Sequence, residues 1–186
     1  MGQFLLSIVK KAVFLIYNKL NNRFLRFFDL EIEDLEGKNL DIAAMEGKKI
    51  MLVNVASACG YTPQYKQLQE LYEACDGKLV VIAMPCNDFG KQESGDEATI
   101  RNFCETRYGV TFPITQKVQI KQDPHPLIQW LCNKDQNGKM DAEIGWNFCK
   151  FLVDESGNLA AFYPSSTSPL DEKILNWLDI SIDIKT

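Results

Sequence analysis

The chain holds a single histidine, His125, no C-x-x-C pair, no surplus of positive charge and no apolar run long enough to cross a bilayer. Each shortage closes off a class of function. With no Cys and His residues at structural-zinc spacing, no metal site is expected. A formal net charge of -5 over 186 residues offers little attraction to a phosphate backbone, so nucleic acid is not an expected partner. A Cys/His hydrolase would need His125 as its base, yet that residue sits between Pro124 and Pro126 and nothing around it resembles a cysteine protease signature. His125 reads more simply as a helix-start residue bonded to the backbone.

Hydrophobic residues are plentiful. At 46% of the chain they suffice for one buried core without covalent staples. Cys59, Cys75, Cys86, Cys104, Cys132 and Cys149 are therefore expected as reduced thiols in a cytosol-like compartment, not as the disulfides of a secreted domain. No internal repeat or low-complexity tract divides the chain.

Charge is spread unevenly. Residues 1–28 carry five basic residues (Lys10, Lys11, Lys19, Arg23 and Arg26) and no acidic one, which leaves -10 on the remainder. Lys10 and Lys11 break the opening apolar segment, residues 12–17 are too few to span a membrane, and no small-residue cleavage site follows. Gly2 lacks the Ser or Thr four residues later that myristoylation favours, because Leu6 stands there. Helical spacing puts Leu5, Val9, Val13, Ile16, Leu20 and Phe24 on one face. Residues 1–27 thus read as an amphipathic helical extension to a domain over residues 28–186. Two settings fit such a helix: packed on the domain or a symmetry mate, or lying in a membrane interface.

Beyond residue 27 the pattern shortens. "FFDLEIEDLEGKNLDI" reads as a hairpin turning at Glu36-Gly37, and the apolar stretch over residues 48–56 reads as a strand covered on both faces. Thr62-Pro63 is expected to cap a helix, with Pro at its first position. A second buried strand over residues 78–85 leads through the loop "CNDFGKQESG" to a helix over residues 96–107. A short helix follows within residues 124–132, then a strand over residues 146–154, an antiparallel return over 159–164 and a closing helix opened by Ser168-Pro169-Leu170-Asp171. Strand, helix, strand, helix, hairpin, helix is the order of a thioredoxin-like α/β domain, a central mixed sheet flanked by helices.

In that order Cys59 falls where the first core strand ends and a helix is about to begin. A thiol attacks only as its thiolate, and the unpaired N–H groups of a helix N-terminus favour negative charge. Placement alone leaves two readings, a reactive thiol and an inert core residue, because cysteine is among the most buried residue types. A reactive cysteine without a base suits attack on a weak O–O bond, given donors to steady the departing oxygen and something to regenerate the thiol.

Five stretches, "VNVASACGYTPQY", "MPCNDFGKQESG", "FCETRYGVTFPI", "HPLIQWL" and "WNFCKFLVDESG", resemble the glutathione peroxidase family in order and spacing, over roughly residues 28–178. The resemblance implies a thioredoxin-like fold and reduction of hydrogen peroxide and organic or lipid hydroperoxides with thiol electrons. It also implies site roles. Cys59 matches the peroxidatic position, and Gln92, Trp146 and Asn147 match the polar shell around it. Cys104 falls where cysteine-only members carry a resolving cysteine, and such members generally draw electrons from thioredoxin-like proteins in preference to glutathione. Cys86 matches a cysteine that is not usually the resolver and reads as a buried structural thiol; Cys75, Cys132 and Cys149 read as packing residues. Ala58, Ser94 and Cys149 depart from the lysine, proline and threonine common at those positions. The missing charge at Ala58 bears on thiolate stabilisation and on partner docking.

The expectation is therefore a cysteine-type peroxidase that needs no metal or organic cofactor and is reduced by thioredoxin or glutathione. The short connection from Cys132 to Trp146 favours a monomer, since the tetrameric members carry an insertion there. The expected location is cytoplasmic, with peripheral membrane contact through residues 1–27 as the second setting of that helix. The alternative function is a peroxide sensor that passes oxidation from Cys59 to a partner protein.

Overall fold

The computed structural model describes residues 24–181. The expected N-terminal helix lies outside them up to residue 23. Residues 24–26 run as irregular chain, so the helical spacing does not carry through Phe24.

Four strands form one sheet in the order β2-β1-β3-β4, with β1 at Lys49–Val55, β2 at Leu79–Pro85, β3 at Lys150–Val153 and β4 at Leu159–Tyr163. β1 pairs parallel with β2 and antiparallel with β3, and β3 pairs antiparallel with β4. Such a centre must be covered on both faces, and the sequence supplies the cover. Met51, Val53 and Val55 point to the face packed by Tyr65, Leu68 and Leu71, while Ile50 and Leu52 point to the face packed by Leu127, Trp130 and Leu131. Each aliphatic side chain so buried contributes roughly 1.5–3 kcal/mol relative to exposure. The β2 edge is covered too: Ala83 N–H donates to the Pro113 carbonyl at 3.0 Å and Thr115 N–H to the Ala83 carbonyl at 2.9 Å.

Helices α1 (Gln64–Ala74), α2 (Glu97–Tyr108), α3 (Pro126–Cys132), α4 (Lys134–Asn137) and α5 (Glu172–Leu178) flank this sheet. Their ends follow local chemistry. Asp96 caps α2 by accepting from Thr99 N–H, and Gly109, at φ 63°, ends it in the left-handed conformation that a side chain resists. His125 caps α3 by accepting from Leu127 N–H at 3.2 Å, the backbone role read from the sequence. Asp171 caps α5, which begins at Glu172.

Three expectations are corrected. The hairpin over residues 27–42 shrinks to a single bridge, Glu33 to Asn39, because Asp34 Oδ1 gathers the N–H groups of Glu36 and Lys38 into a tight turn. Pro63 is the N-cap of α1, one place before its first residue, and no side chain caps that helix. The strand expected from residue 146 begins only at Lys150, because residues 146–149 turn away from the sheet, with Phe148 at φ 68°.

Candidate active site

β1 ends at Val55, and the chain crosses to α1 through a run of turns that contains Cys59. Thr62 fixes that run. Its Oγ1 accepts from Cys59 N–H at 3.0 Å and donates to the Ala56 carbonyl at 2.8 Å, so one hydroxyl ties the cysteine to the strand it has just left. The Cys59 carbonyl accepts from Thr62 N–H at 3.0 Å, and Tyr61 N–H donates to Cys59 Sγ at 3.4 Å. The sulfur therefore has a donor from its own turn. Cys59 is 8% exposed, between the exposed Ala58 and Gly60.

The loop after β2 is joined to this turn by the backbone, since Ala58 N–H donates to the Gln92 carbonyl at 3.1 Å. Gln92 folds its side chain over Gly90, whose φ of 67° and closeness to Gln92 Cγ leave little room for a side chain. Gln92 Oε1 accepts from Asn147 Nδ2 at 3.1 Å. Asn147 is fully buried, and its Oδ1 has no partner. Trp146 stays 39% exposed, its ring centroid 5.9 Å from that of Phe89 in the same loop as Gln92. Three connections thus meet at one end of the central strands, and Gln92, Trp146 and Asn147 are brought together beside the Cys59 turn.

Cys104 stands apart from that group. It lies on α2, fully buried in the apolar cluster that also holds Cys59, and both thiols are free. Burial pushes its thiol up to about 11, with the Tyr65 hydroxyl pulling the other way. Tyr65 is itself raised, by burial first and by Cys104 second, and its hydroxyl has no well-formed hydrogen bond. Glu93 completes this buried polar group: it is 1% exposed, burial raises its carboxyl, and Ser57 in the Cys59 turn offsets that in part. Cys86 is also buried, its thiol pushed up to about 12 by desolvation while Asp88 N–H donates to its sulfur at 3.4 Å.

Sequence reasoning missed Thr62 as a brace, Glu93, Tyr65 and Asn54. Asn54 did carry a signal, as the lone polar residue in the apolar run of residues 50–56. Lys150 was also unnoticed: it is fully buried on β3, donates to the carbonyls of Ser165 and Thr167 at 3.3 and 2.5 Å, and is lowered to about 8 by desolvation. Among the described residues no cluster of His, Cys, Asp and Glu could hold a metal ion.

A mixed sheet with a cysteine in the turn that leaves its first central strand defines the class, a thioredoxin-like thiol protein. Solved structures agree on the fold. A crystal structure of Trgpx in apo form is 31% identical and superimposes with a TM-score of 0.64 over 84% of this chain and 97% of that one. A thiol:disulfide interchange protein of Chlorobium tepidum, 18% identical, shares the fold with a TM-score of 0.54 over 80% of this chain and 92% of its own. The family model described as "Glutathione peroxidase" matches residues 27–132. A glutathione peroxidase-like peroxiredoxin of Chlamydomonas reinhardtii is 43% identical over 81% of this chain and 96% of its own. A hydroperoxy fatty acid reductase of Synechocystis is 43% identical over 73% of this chain and 84% of its own. The chain belongs to the glutathione peroxidase family and is a peroxidase of that family.

Proposed function

We propose that Cys59 is the peroxidatic residue, that Gln92, Trp146 and Asn147 serve its reaction, that Cys104 resolves it, and that a thioredoxin-like dithiol completes the cycle. The observation that carries this reading is the Cys59 turn, whose sulfur accepts from Tyr61 N–H and which is bonded through Ala58 to the Gln92–Asn147 pair. In the first step the Cys59 thiolate attacks one peroxide oxygen; the S–O bond forms as the O–O bond breaks, and the departing alkoxide or hydroxide takes a proton. Amide and indole N–H groups suit that shell because they donate to developing negative charge without competing as nucleophiles. Cysteine is left as sulfenic acid.

In the second step Cys104 sulfur attacks Cys59 sulfur. An S–S bond forms, the S–OH bond breaks, and the thiol proton leaves with hydroxide as water. An external dithiol then reduces the disulfide by exchange through a mixed disulfide. Hydrogen peroxide and organic or fatty-acid hydroperoxides are the substrates this reading assigns, the latter in keeping with the Synechocystis relative. Turnover measured with thioredoxin and with glutathione at equal electron supply tests it. Faster turnover with thioredoxin is expected; turnover with neither reductant, alongside a stable mixed disulfide to one partner protein, would favour a peroxide relay.

Residues 1–23 pair basic with apolar side chains in a way that suits an anionic membrane surface, and we assign them that contact. Among the described residues no helix is long and apolar enough to cross a membrane. The short connection between α3 and Trp146 fits a monomer, which size-exclusion chromatography with light scattering would test.

A further inference from the structure

Asn54 is a polar residue in the otherwise apolar central part of β1, and it is fully buried. Its place in the register explains why. β1 and β3 pair in antiparallel order from Ile50 with Val153 to Val53 with Lys150, so the next pair along the ladder would be Asn54 with Cys149. The ladder stops there. Cys149 N–H donates to the Asn54 side-chain oxygen at 2.9 Å, the Asn54 side-chain amide donates to the Trp146 carbonyl at 3.0 Å, and Phe148 N–H donates to the Asn54 main-chain carbonyl at 2.5 Å. The Asn54 side chain has taken the Cys149 N–H, and the Asn54 main-chain carbonyl pairs with Phe148, one residue out of register.

The result is a turn in place of a strand. Phe148 adopts φ 68°, a conformation that bulky residues avoid, and the chain before it swings Asn147 to Gln92 and Trp146 to Phe89. An apolar residue at position 54 would leave the Cys149 N–H without a partner and the Trp146 carbonyl with only the Cys149 thiol at 3.4 Å, and pairing would be free to run on along β1. Asn54 touches neither Cys59 sulfur nor any reacting atom in these contacts. We propose that Asn54 is a positioning residue for peroxide reduction, acting through Trp146 and Asn147 by ending the β1–β3 ladder and holding their turn. The inference rests on the assignment of Asn147 and Trp146 to the reaction.

A double-variant cycle tests it. Oxidation of Cys59 by hydrogen peroxide is followed by stopped flow in the parent, Asn54→Leu, Asn147→Ala and the double variant, with near-ultraviolet circular dichroism checking the fold. Asn54→Leu should slow oxidation ~10-fold or more, as loss of an aligned donor does, while alkylation of Cys59 by iodoacetamide at pH 9 stays within about two-fold. Because Asn54 acts through the turn that carries both Asn147 and Trp146, the loss in the double variant should fall clearly short of the product of the two single losses. Should Asn54→Leu fail to fold, Asn54→Asp takes its place, measured at a pH where the carboxylate is ionised, since it keeps the acceptor for Cys149 N–H and has no donor for the Trp146 carbonyl.

Asn147→Ala reacting at the parent rate would sink the site assignment. Asn147→Ala slow but the folded Asn54 variant at the parent rate, or losses that multiply in the double variant, would overturn the positioning role alone. If both Asn54 variants fail to fold, its role is structural and the proposal is overturned.

Discussion

Asn147 Nδ2 donates to Gln92 Oε1 across 3.1 Å, joining two connections 55 residues apart in sequence. The bond occupies the acceptor end of Gln92 and leaves its Nε2 as a donor. Removing either side chain should slow oxidation of Cys59 ~10-fold or more, the loss typical of a preorganised donor to developing charge. Gln92→Ala and Asn147→Ala should also be strongly non-additive, because each orients the other. Stopped-flow rates at the parent value in both variants would remove the pair from the reaction.

Cys59→Ser should abolish peroxide reduction and leave the fold intact. A hydroxyl at that position is a far poorer nucleophile at neutral pH, and the Thr62 brace uses the Cys59 main chain, which the substitution leaves in place. Residual turnover near the parent rate in a folded Cys59→Ser protein would move the chemistry to another thiol.

Cys104 is fully buried on α2 and free, so a disulfide with Cys59 demands movement, since the two Cα atoms must come within ~7 Å. Peroxide treatment should give a Cys59–Cys104 linked peptide by mass spectrometry, with faster amide exchange over residues 103–107 as that end of α2 unwinds. Cys104→Ser should accumulate sulfenic acid at Cys59 and lose thioredoxin-supported turnover. Cys59 linked to Cys86, or full turnover in Cys104→Ser, would reassign the resolving thiol.

Lys150 predicts a pH dependence of stability. Its ammonium loses its proton near pH 8 in the folded chain, against an ordinary value of 10.5, because burial disfavours the charge. Between those values the unfolded state holds more protons, so stability from this group rises with pH across that window, and the penalty is fully present at neutral pH. The difference in unfolding free energy between the parent and Lys150→Met should shift toward the parent by about 3 kcal/mol at most over that range. Subtracting the variant removes the opposing trend of the buried Cys86, Cys104 and Cys132 thiols, all of which are raised. A difference that stays flat with pH would show that Lys150 keeps its proton when buried.

Deleting residues 1–23 should weaken binding to vesicles containing anionic phospholipid and spare hydrogen peroxide turnover. Full-length protein that ignores such vesicles in a flotation assay would rule out membrane contact through this segment.

Much of this was legible in the sequence, for physical reasons that also explain the misses. β1 and β2 were readable because strands covered on both faces must be apolar throughout, and α2 because Asp96 and Gly109 mark its ends chemically. Cys59, Gln92, Trp146 and Asn147 could be picked out by motif. What the sequence hid was long-range: "WNFCKFLVD" alternates like a strand from its first residue, and only Asn54, nearly a hundred positions earlier, turns its first four residues into a loop. Thr62 looked like a helix cap for a similar reason, since nothing local reveals that its hydroxyl faces back to Ala56.

The segment around Leu25 is stitched to the rest of the domain by its main chain. Trp130, fully buried, donates its indole N–H to the Leu25 carbonyl at 2.7 Å, Leu25 N–H donates to the Gln136 carbonyl, and Phe27 N–H reaches Gly157. A protease cutting before Phe24 would leave every one of these bonds in place. A cut two or three residues later would strand the Trp130 indole in the core, a loss of roughly 1–3 kcal/mol. A cut that spares these bonds must therefore fall upstream of Leu25, and the same boundary tells an experimenter how far a truncation can go without loosening α3.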